Sequence, residues 1–171
     1  MKKTTLLLAL MLSSWVAILS QSCNKTKDTP QEFIADNNSF KGFTGWPKQG
    51  SFNGPDPLLG AMAHANNDAS VVRSVYFKNG QDRVNGKFPV GTLIVKHSTN
   101  PSGTVNEFTG MVKRGNNFDP THNDWEYFML TADGSIMTDT GGMVLRGSGL
   151  MGGMCVSCHG GASTKDYIFS K

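Results

Sequence analysis

Short runs of β-branched and aromatic residues, separated by glycine-containing connections, fill the middle of this chain. Such runs are typical of β-strands, and short connections between them favour antiparallel pairing. Asn79-Gly80 and Asp133-Gly134 are strong turn signals. The predicted strands cover residues 71–77, 92–97, 104–113 and 125–131. The sequence therefore predicts an α+β fold: a mainly antiparallel β-sheet with a few short helices in a single domain.

The residues before these strands follow a different pattern. Residues 40–57 place aromatic side chains among glycines and three prolines, which predicts an ordered, non-helical segment wrapped around the domain. The aromatic residues in it are predicted to lie in the core: Phe40, Phe43, Trp46 and Phe52. Residues 58–65 predict a short helix, because Asp56-Pro57 supplies a start signal.

The chain begins with a pattern typical of an export signal. Lys2 and Lys3 precede a mostly apolar run at residues 6–19, which is short for a membrane-spanning helix. Small residues then precede Cys23, as in bacterial lipoproteins whose cysteine is lipidated, although Ser20 stands where a lipobox has leucine. Residues 1–22 are therefore predicted to be a signal peptide, and either lipidation or plain secretion would follow.

Residues 23–38 are polar and lack a sustained period, so they are predicted to be a tether, and residues 39–171 the folded domain. The protein would then be an exported, periplasm-facing lipoprotein attached to the membrane through lipid on Cys23, or otherwise a soluble periplasmic protein.

Composition and charge exclude several classes of protein. The chain of 171 residues has 38% hydrophobic and 17% charged residues, which argues against a disordered chain or a polytopic membrane protein. Removing the signal lowers the count of Lys and Arg from 16 to 14 against 13 Asp and Glu, a balance of +1. This balance is too small to indicate a nucleic-acid-binding surface.

The strongest chemical signal is the sequence Cys155-Val156-Ser157-Cys158-His159. C-x-x-C-H is the attachment motif of c-type haem: two thiols one helical turn apart each add to a vinyl group, and the histidine ligates the iron. A thioredoxin-like dithiol would need a βαβ pattern, and a structural zinc site would need a second pair of ligands. A disulfide across this short spacing would constrain almost nothing. We therefore predict one covalently bound haem c, with thioether bonds to Cys155 and Cys158 and with His159 as the axial ligand.

The sixth iron position decides what such a haem does. A methionine ligand suits electron transfer, whereas an open position admits small molecules. His64, His97 and His122 are more simply explained as surface or hydrogen-bonded residues than as ligands.

Several further segments resemble the cytochrome P-460 family, a relative of the β-type cytochromes c′. The resemblance covers residues 70–171 and implies a mainly antiparallel β fold with one c-type haem, often dimeric. The segments that carry it are Arg73-Ser74-Val75-Tyr76, Gly86-Lys87-Phe88-Pro89-Val90-Gly91-Thr92-Leu93-Ile94-Val95-Lys96, Val112-Lys113, Asn123-Asp124-Trp125, the C-x-x-C-H motif and Asp166-Tyr167-Ile168-Phe169.

The resemblance also implies roles for individual residues. The lysine that P-460 proteins join covalently to the porphyrin falls on Lys96. The family's arginine falls on Arg73, a candidate partner of a haem propionate. The distal carboxylate of hydroxylamine-oxidising members falls on Thr109, which is a poor base. Glu107, two residues earlier on the same strand face, is a candidate substitute, or else a solvated side chain.

Four aromatic residues are candidates to pack on the porphyrin or to cap its distal side, with an ordinary core position as the alternative: Phe88, Phe108, Trp125 and Phe128. Three functional hypotheses follow. The first is a P-460-like protein that binds hydroxylamine or NO and oxidises hydroxylamine by electron transfer to a partner cytochrome. The second is a non-catalytic NO- or CO-binding protein, and the third a simple electron carrier.

Overall fold

The computed structural model describes residues 31–54 and 69–169. The predicted signal peptide, the first half of the predicted tether with Cys23, and the predicted helix at residues 58–65, which contains His64, lie outside the described residues.

Six antiparallel strands form one sheet in which every strand pairs with its neighbours in the chain. The strands are β1 Lys48–Asn53, β2 Val72–Phe77, β3 Leu93–Thr99, β4 Asn106–Lys113, β5 Trp125–Leu130 and β6 Arg146–Gly147. The four predicted strands correspond to β2–β5, with ends that differ by at most two residues. Strand β1 was not predicted, because its polar sequence KQGSFN becomes a strand only by pairing along β2.

The helical part of the domain lies near its C-terminus. A helical segment of 16 residues contains the α-helix α1, Met154–His159, between 3₁₀ turns at Leu150–Gly153 and Gly160–Lys165. The domain is therefore α+β and mainly β, as the sequence predicts. Within residues 31–54 and 69–169, no helix is long and apolar enough to cross a membrane.

Alternation along the strands gives the sheet two apolar faces. We call the face that carries Val75, Ile94, Met111 and Tyr127 the site face, and the opposite one the back face. The C-terminal segment covers the site face, and its core comprises Val75, Phe77, Phe88, Ile94, Met111, Trp125, Tyr127, Leu150, Tyr167 and Ile168. The N-terminal segment covers the back face, whose core comprises Ala35, Phe40, Phe43, Leu93, Val95, Val112, Phe128, Leu130 and Ile136.

The described end of the predicted tether packs against the domain. The backbone N–H of Phe33 donates to the carbonyl of Arg114 at 2.8 Å, and Ala35 is buried. Arg146 donates to the Ala35 carbonyl at 2.7 Å and also binds the buried Glu126. The packed domain therefore extends toward the N-terminus beyond the predicted boundary at residue 39.

The segment that was predicted to wrap the domain divides into two parts. Phe40 and Phe43 are buried in the back-face core, as predicted, and Trp46 packs against that core. Phe52 corrects the prediction, because its side chain is 47% exposed. It lies opposite Arg73 in the register, so the strand pairing places it at the rim of the site face instead of in the core.

Candidate functional site

The strand register brings the sequence-predicted residues together on the site face. Lys96 lies opposite Val75 of β2 and opposite Thr109 of β4. Arg73 lies opposite Ser98, and Ser98 lies opposite Glu107. These residues share the alternation of Val75 and Ile94, so their side chains project from the site face.

Helix α1 carries both thiols to this face. Gly153 precedes the helix with φ +84°, a left-handed conformation that glycine adopts without strain, and α1 begins at Met154. Cys155 and Val156 pack against the site-face core, and Cys158 is buried. Both thiols are free of disulfide bonds. Burial raises the pKa of Cys155, although the nearby positive charge of Lys96 opposes this change.

His159 ends α1 with one ring nitrogen fixed. Its Nδ1 lies 2.7 Å from the backbone carbonyl of Tyr167. A carbonyl only accepts hydrogen bonds, so Nδ1 carries the proton and Nε2 keeps its lone pair. The rings of Tyr127 and Phe169 flank the imidazole at 5.3 and 5.7 Å. Burial lowers the pKa of His159 to about 4. The ring is therefore held neutral, in the tautomer that a metal ligand requires.

Lys96 faces the same space. Burial and, less strongly, the charge of Arg73 lower the pKa of Lys96 to about 8, and Glu107 and the two cysteines oppose this change. The side chain nevertheless keeps part of its surface open to solvent.

The remaining predicted residues differ in exposure. Arg73 is buried, and its guanidinium donates to the carbonyl of Gly54. Thr109 is half-buried, and Glu107 is exposed at the rim. Arg73 and Lys96 together make the described part of the site face positive, which suits a ligand that carries carboxylates.

Two buried hydroxyls on the site face have no hydrogen-bond partner among the described residues, those of Ser98 and Tyr127. Sequence analysis did not identify either one. Tyr127 is 3% exposed, and burial raises the pKa of its phenol. Unpaired buried hydroxyls are costly, so they indicate where a bound group or water completes the structure. A tyrosine within an apolar strand gives no sequence signal of this kind.

The structure divides the four aromatic candidates. Phe88 and Trp125 belong to the site-face core, whereas Phe128 lies in the back-face core and Phe108 packs against that core. Phe108 and Phe128 therefore take the ordinary core position that was the alternative for these residues, because alternation along β4 and β5 directs both side chains to the back face.

The two described histidines outside the motif make hydrogen bonds, as expected. His97 stacks on Phe108 at 4.2 Å and contacts the amide oxygen of Asn106 at 2.8 Å. His122 contacts the carboxylate of Asp119 at 2.8 Å. His97 is excluded from the site because it lies on the back face.

Comparisons of the chain with protein-family models, with curated proteins and with solved structures found no significant match.

Proposed function

We propose that this protein carries one covalently bound haem c, held by Cys155, Cys158 and His159. The observation that carries the proposal is the orientation of His159, whose Nδ1 lies against the Tyr167 carbonyl and which shares one helix with the thiols of Cys155 and Cys158. A backbone carbonyl on Nδ1 is the usual outer-shell partner of a metal-bound histidine.

The surroundings of the motif fit a haem. Tyr127 and Ser98 present buried hydroxyls that lack partners among the described residues. Lys96 and Arg73 provide positive charge toward a group that carries propionates. Apolar residues of the site-face core supply the walls that a porphyrin needs.

Attachment requires only addition chemistry at the two thiols. The S–H of Cys155 and that of Cys158 each add across a vinyl double bond, so a C–S and a C–H bond form and no electrons are lost. The bound iron then supplies redox and ligand-binding chemistry. Helix α1 holds the thiols on successive turns, while Tyr167 orients the imidazole.

The P-460-like form of this proposal adds a bond from Lys96 to the porphyrin. The lowered pKa of Lys96 increases the fraction of the neutral amine, which is the nucleophilic form. Forming the N–C bond removes two electrons and two protons, so it needs an oxidant such as a peroxide. The proposed activity is binding of hydroxylamine or NO at the iron, followed by oxidation of hydroxylamine with a partner cytochrome as electron acceptor.

A non-catalytic NO- or CO-binding protein is the second candidate function. It is favoured by one observation: Thr109 stands opposite Lys96 where the resemblance expects a carboxylate, and Glu107 is exposed. Neither the Thr109 hydroxyl nor the exposed Glu107 carboxylate provides a desolvated base beside a bound ligand. A simple electron carrier with a six-coordinate iron is the third.

We further propose an exported protein that is lipidated on Cys23 or secreted, with a homodimer as its candidate assembly. The export proposal rests on the sequence, because residues 1–30 lie outside the described residues. The homodimer rests on the resemblance to the P-460 family.

Haem attachment is tested by producing the full chain in cells that mature c-type cytochromes. Intact mass and the alkaline pyridine spectrum should show one covalent haem. Cys155→Ala together with Cys158→Ala should abolish attachment, whereas the matched change Cys23→Ala should leave the haem content unaltered. Full haem content in the double variant would exclude the proposal.

The same sample separates the three functions. A red-shifted absorption and a haem peptide that includes Lys96 would support the P-460-like form, whereas an ordinary high-spin spectrum with unmodified Lys96 would exclude the cross-link. A low-spin spectrum without ligand uptake would favour the carrier.

A further inference from the structure

The chain folds back beneath His159 in a turn whose backbone is unusual. Asp166 and Tyr167 adopt φ of +51° and +65°, a left-handed conformation that residues with side chains rarely adopt. Two such residues in succession persist only where surrounding contacts hold them. The carbonyl that this turn directs at His159 is that of Tyr167.

A buried ion pair holds the turn from one side. Lys113 Nζ lies 2.8 and 3.0 Å from the two carboxylate oxygens of Asp166, and both side chains are nearly inaccessible to solvent. The same carboxylate accepts the Phe88 backbone N–H at 2.7 Å and the Asn123 amide at 3.1 Å. The carboxylate thus joins three separate parts of the chain to the turn.

Successive backbone carbonyls of the turn each accept a hydrogen bond from a side chain. Arg83 Nη2 donates to the Lys165 carbonyl at 2.8 Å and to that of Ile168 at 3.4 Å. Trp125 Nε1 donates to the Asp166 carbonyl at 2.8 Å. The Tyr167 carbonyl between them accepts from His159. Its position is therefore determined by neighbours on both sides.

We propose that Lys113, Asp166 and Arg83 are positioning residues for His159, which act by fixing the Tyr167 carbonyl as the acceptor of the His159 Nδ1–H. This proposal rests on the proposed function, in which His159 Nε2 binds the haem iron. A hydrogen bond at Nδ1 makes an imidazole a stronger donor to its metal and lowers the reduction potential. A looser turn would weaken the hydrogen bond between the His159 Nδ1–H and the Tyr167 carbonyl.

The test measures the midpoint potential of the haem-loaded protein and, in its ferrous five-coordinate state, the iron–histidine stretching frequency by resonance Raman. Asp166→Asn keeps the size of the side chain and tolerates the left-handed backbone, but it removes the ion pair. Lys113→Met removes the other partner and keeps the aliphatic stem. Each change should shift the potential upward and the stretching frequency downward, with a broader band.

The two variants separate positioning from simple electrostatics. Removing the negative charge of Asp166 raises a nearby potential, and removing the positive charge of Lys113 lowers it. Positioning predicts an upward shift in both variants, whereas charge alone predicts shifts of opposite sign. Lys87→Met, an exposed lysine whose charge also acts on Lys113, is the matched control and should leave the stretching frequency unchanged.

Arg83→Gln provides a milder variant if the loss of the buried pair prevents folding, because Arg83 is only half-buried. It too should raise the potential, although it removes a positive charge. Three results would overturn the inference without affecting haem attachment. They are potential shifts of opposite sign in Asp166→Asn and Lys113→Met, an unchanged stretching frequency in every folded variant, or an equal change of that frequency in Lys87→Met. A wild-type protein without covalent haem would instead refute the proposed function, and the inference with it.

Discussion

Thr109 lies directly opposite Lys96 in the register between β3 and β4, and both side chains project from the site face. The Thr109 hydroxyl on β4 is therefore the neighbour of the Lys96 amine on β3, which interacts with the two cysteines of α1. The hydroxyl is a weak base, while the amine has a pKa of about 8. At this position the chain therefore presents a hydroxyl instead of a carboxylate base.

The protonation of Lys96 leads to a pH dependence of cross-linking. An amine with a pKa of about 8 is about one-tenth neutral at pH 7 and about nine-tenths neutral at pH 9. When haem-loaded protein without the cross-link is treated with a peroxide, the initial rate of Lys96–haem bond formation should rise about tenfold over that range. Mass analysis of haem peptides measures the rate. The variant Lys96→Arg should show no such bond, and a rate independent of pH would contradict the assignment of the neutral amine as the nucleophile.

Introducing a carboxylate at residue 109 should change the chemistry. In Thr109→Glu a base would stand beside Lys96 on the half-buried site face, so hydroxylamine oxidation should increase by about 100-fold over wild type, at the lower end of the range for a positioned base. The measurement is turnover with an artificial electron acceptor under saturating hydroxylamine. Thr109→Val is the control for shape and should remain at the wild-type level. Equal rates in the two variants would show that residue 109 does not contact the reacting ligand.

Glu107 gives a second prediction at the same strand. Its side chain is exposed at the rim of the site, so water already solvates the carboxylate. Glu107→Gln should therefore change hydroxylamine turnover by less than about twofold, because a carboxylate at the exposed rim lacks the close, positioned contact with the ligand that a general base needs. A loss of tenfold or more would identify Glu107 as the missing base.

The buried pair of Lys113 and Asp166 should dominate local stability. Removing one member of a buried ion pair leaves the other charge without compensation, so Lys113→Met should lower the free energy of unfolding by about 3–5 kcal/mol. Chemical denaturation measures this change. Combining it with Asp166→Asn should cost clearly less than the sum of the two single changes, because the stranded charge is removed. Additive losses would mean that the two side chains do not interact.

Two glycines in similar conformations allow a matched test of packing. Gly134 has φ +86°, and a Cβ there would lie 2.5 Å from the carbonyl oxygen of Phe40. Gly142 has the same φ, but a Cβ there would meet nothing within 4 Å. We expect Gly142→Ala to cost about 1 kcal/mol for its conformation alone. Gly134→Ala should cost at least about 2 kcal/mol more, because backbone must move. Equal midpoints in thermal unfolding would contradict the close approach of Phe40 and Gly134.

Local pattern was sufficient for much of the fold. The β-branched runs predicted β2–β5, and the Asp133-Gly134 turn follows from its two residues, because these features depend on near neighbours in the chain. The motif at Cys155, Cys158 and His159 likewise needs only the geometry of one helical turn. Strand β1 was missed because its sequence is polar and pairing along β2 determines its conformation.

Which face each side chain occupies was decided by the tertiary structure. Only the register between the strands shows that Lys96 shares one face of the sheet with Thr109 and Arg73. A shift of that register by one residue would move every side chain of a strand to the other face. For the same reason Phe108 and Phe128 turned out to lie on the back face. Sequence therefore determined strands β2–β5 and the C-x-x-C-H motif, both of which are local.

The support of His159 could come only from the folded chain. Lys113 and Asp166 are 53 residues apart in sequence, and Arg83 and Lys165 are 82 apart, so no local pattern predicts their contacts. The left-handed turn at Asp166 and Tyr167 runs against the backbone preference of tyrosine, and those distant groups contact it from both sides. The sequence determined which residue could bind a metal, and the tertiary structure decided how its imidazole is oriented.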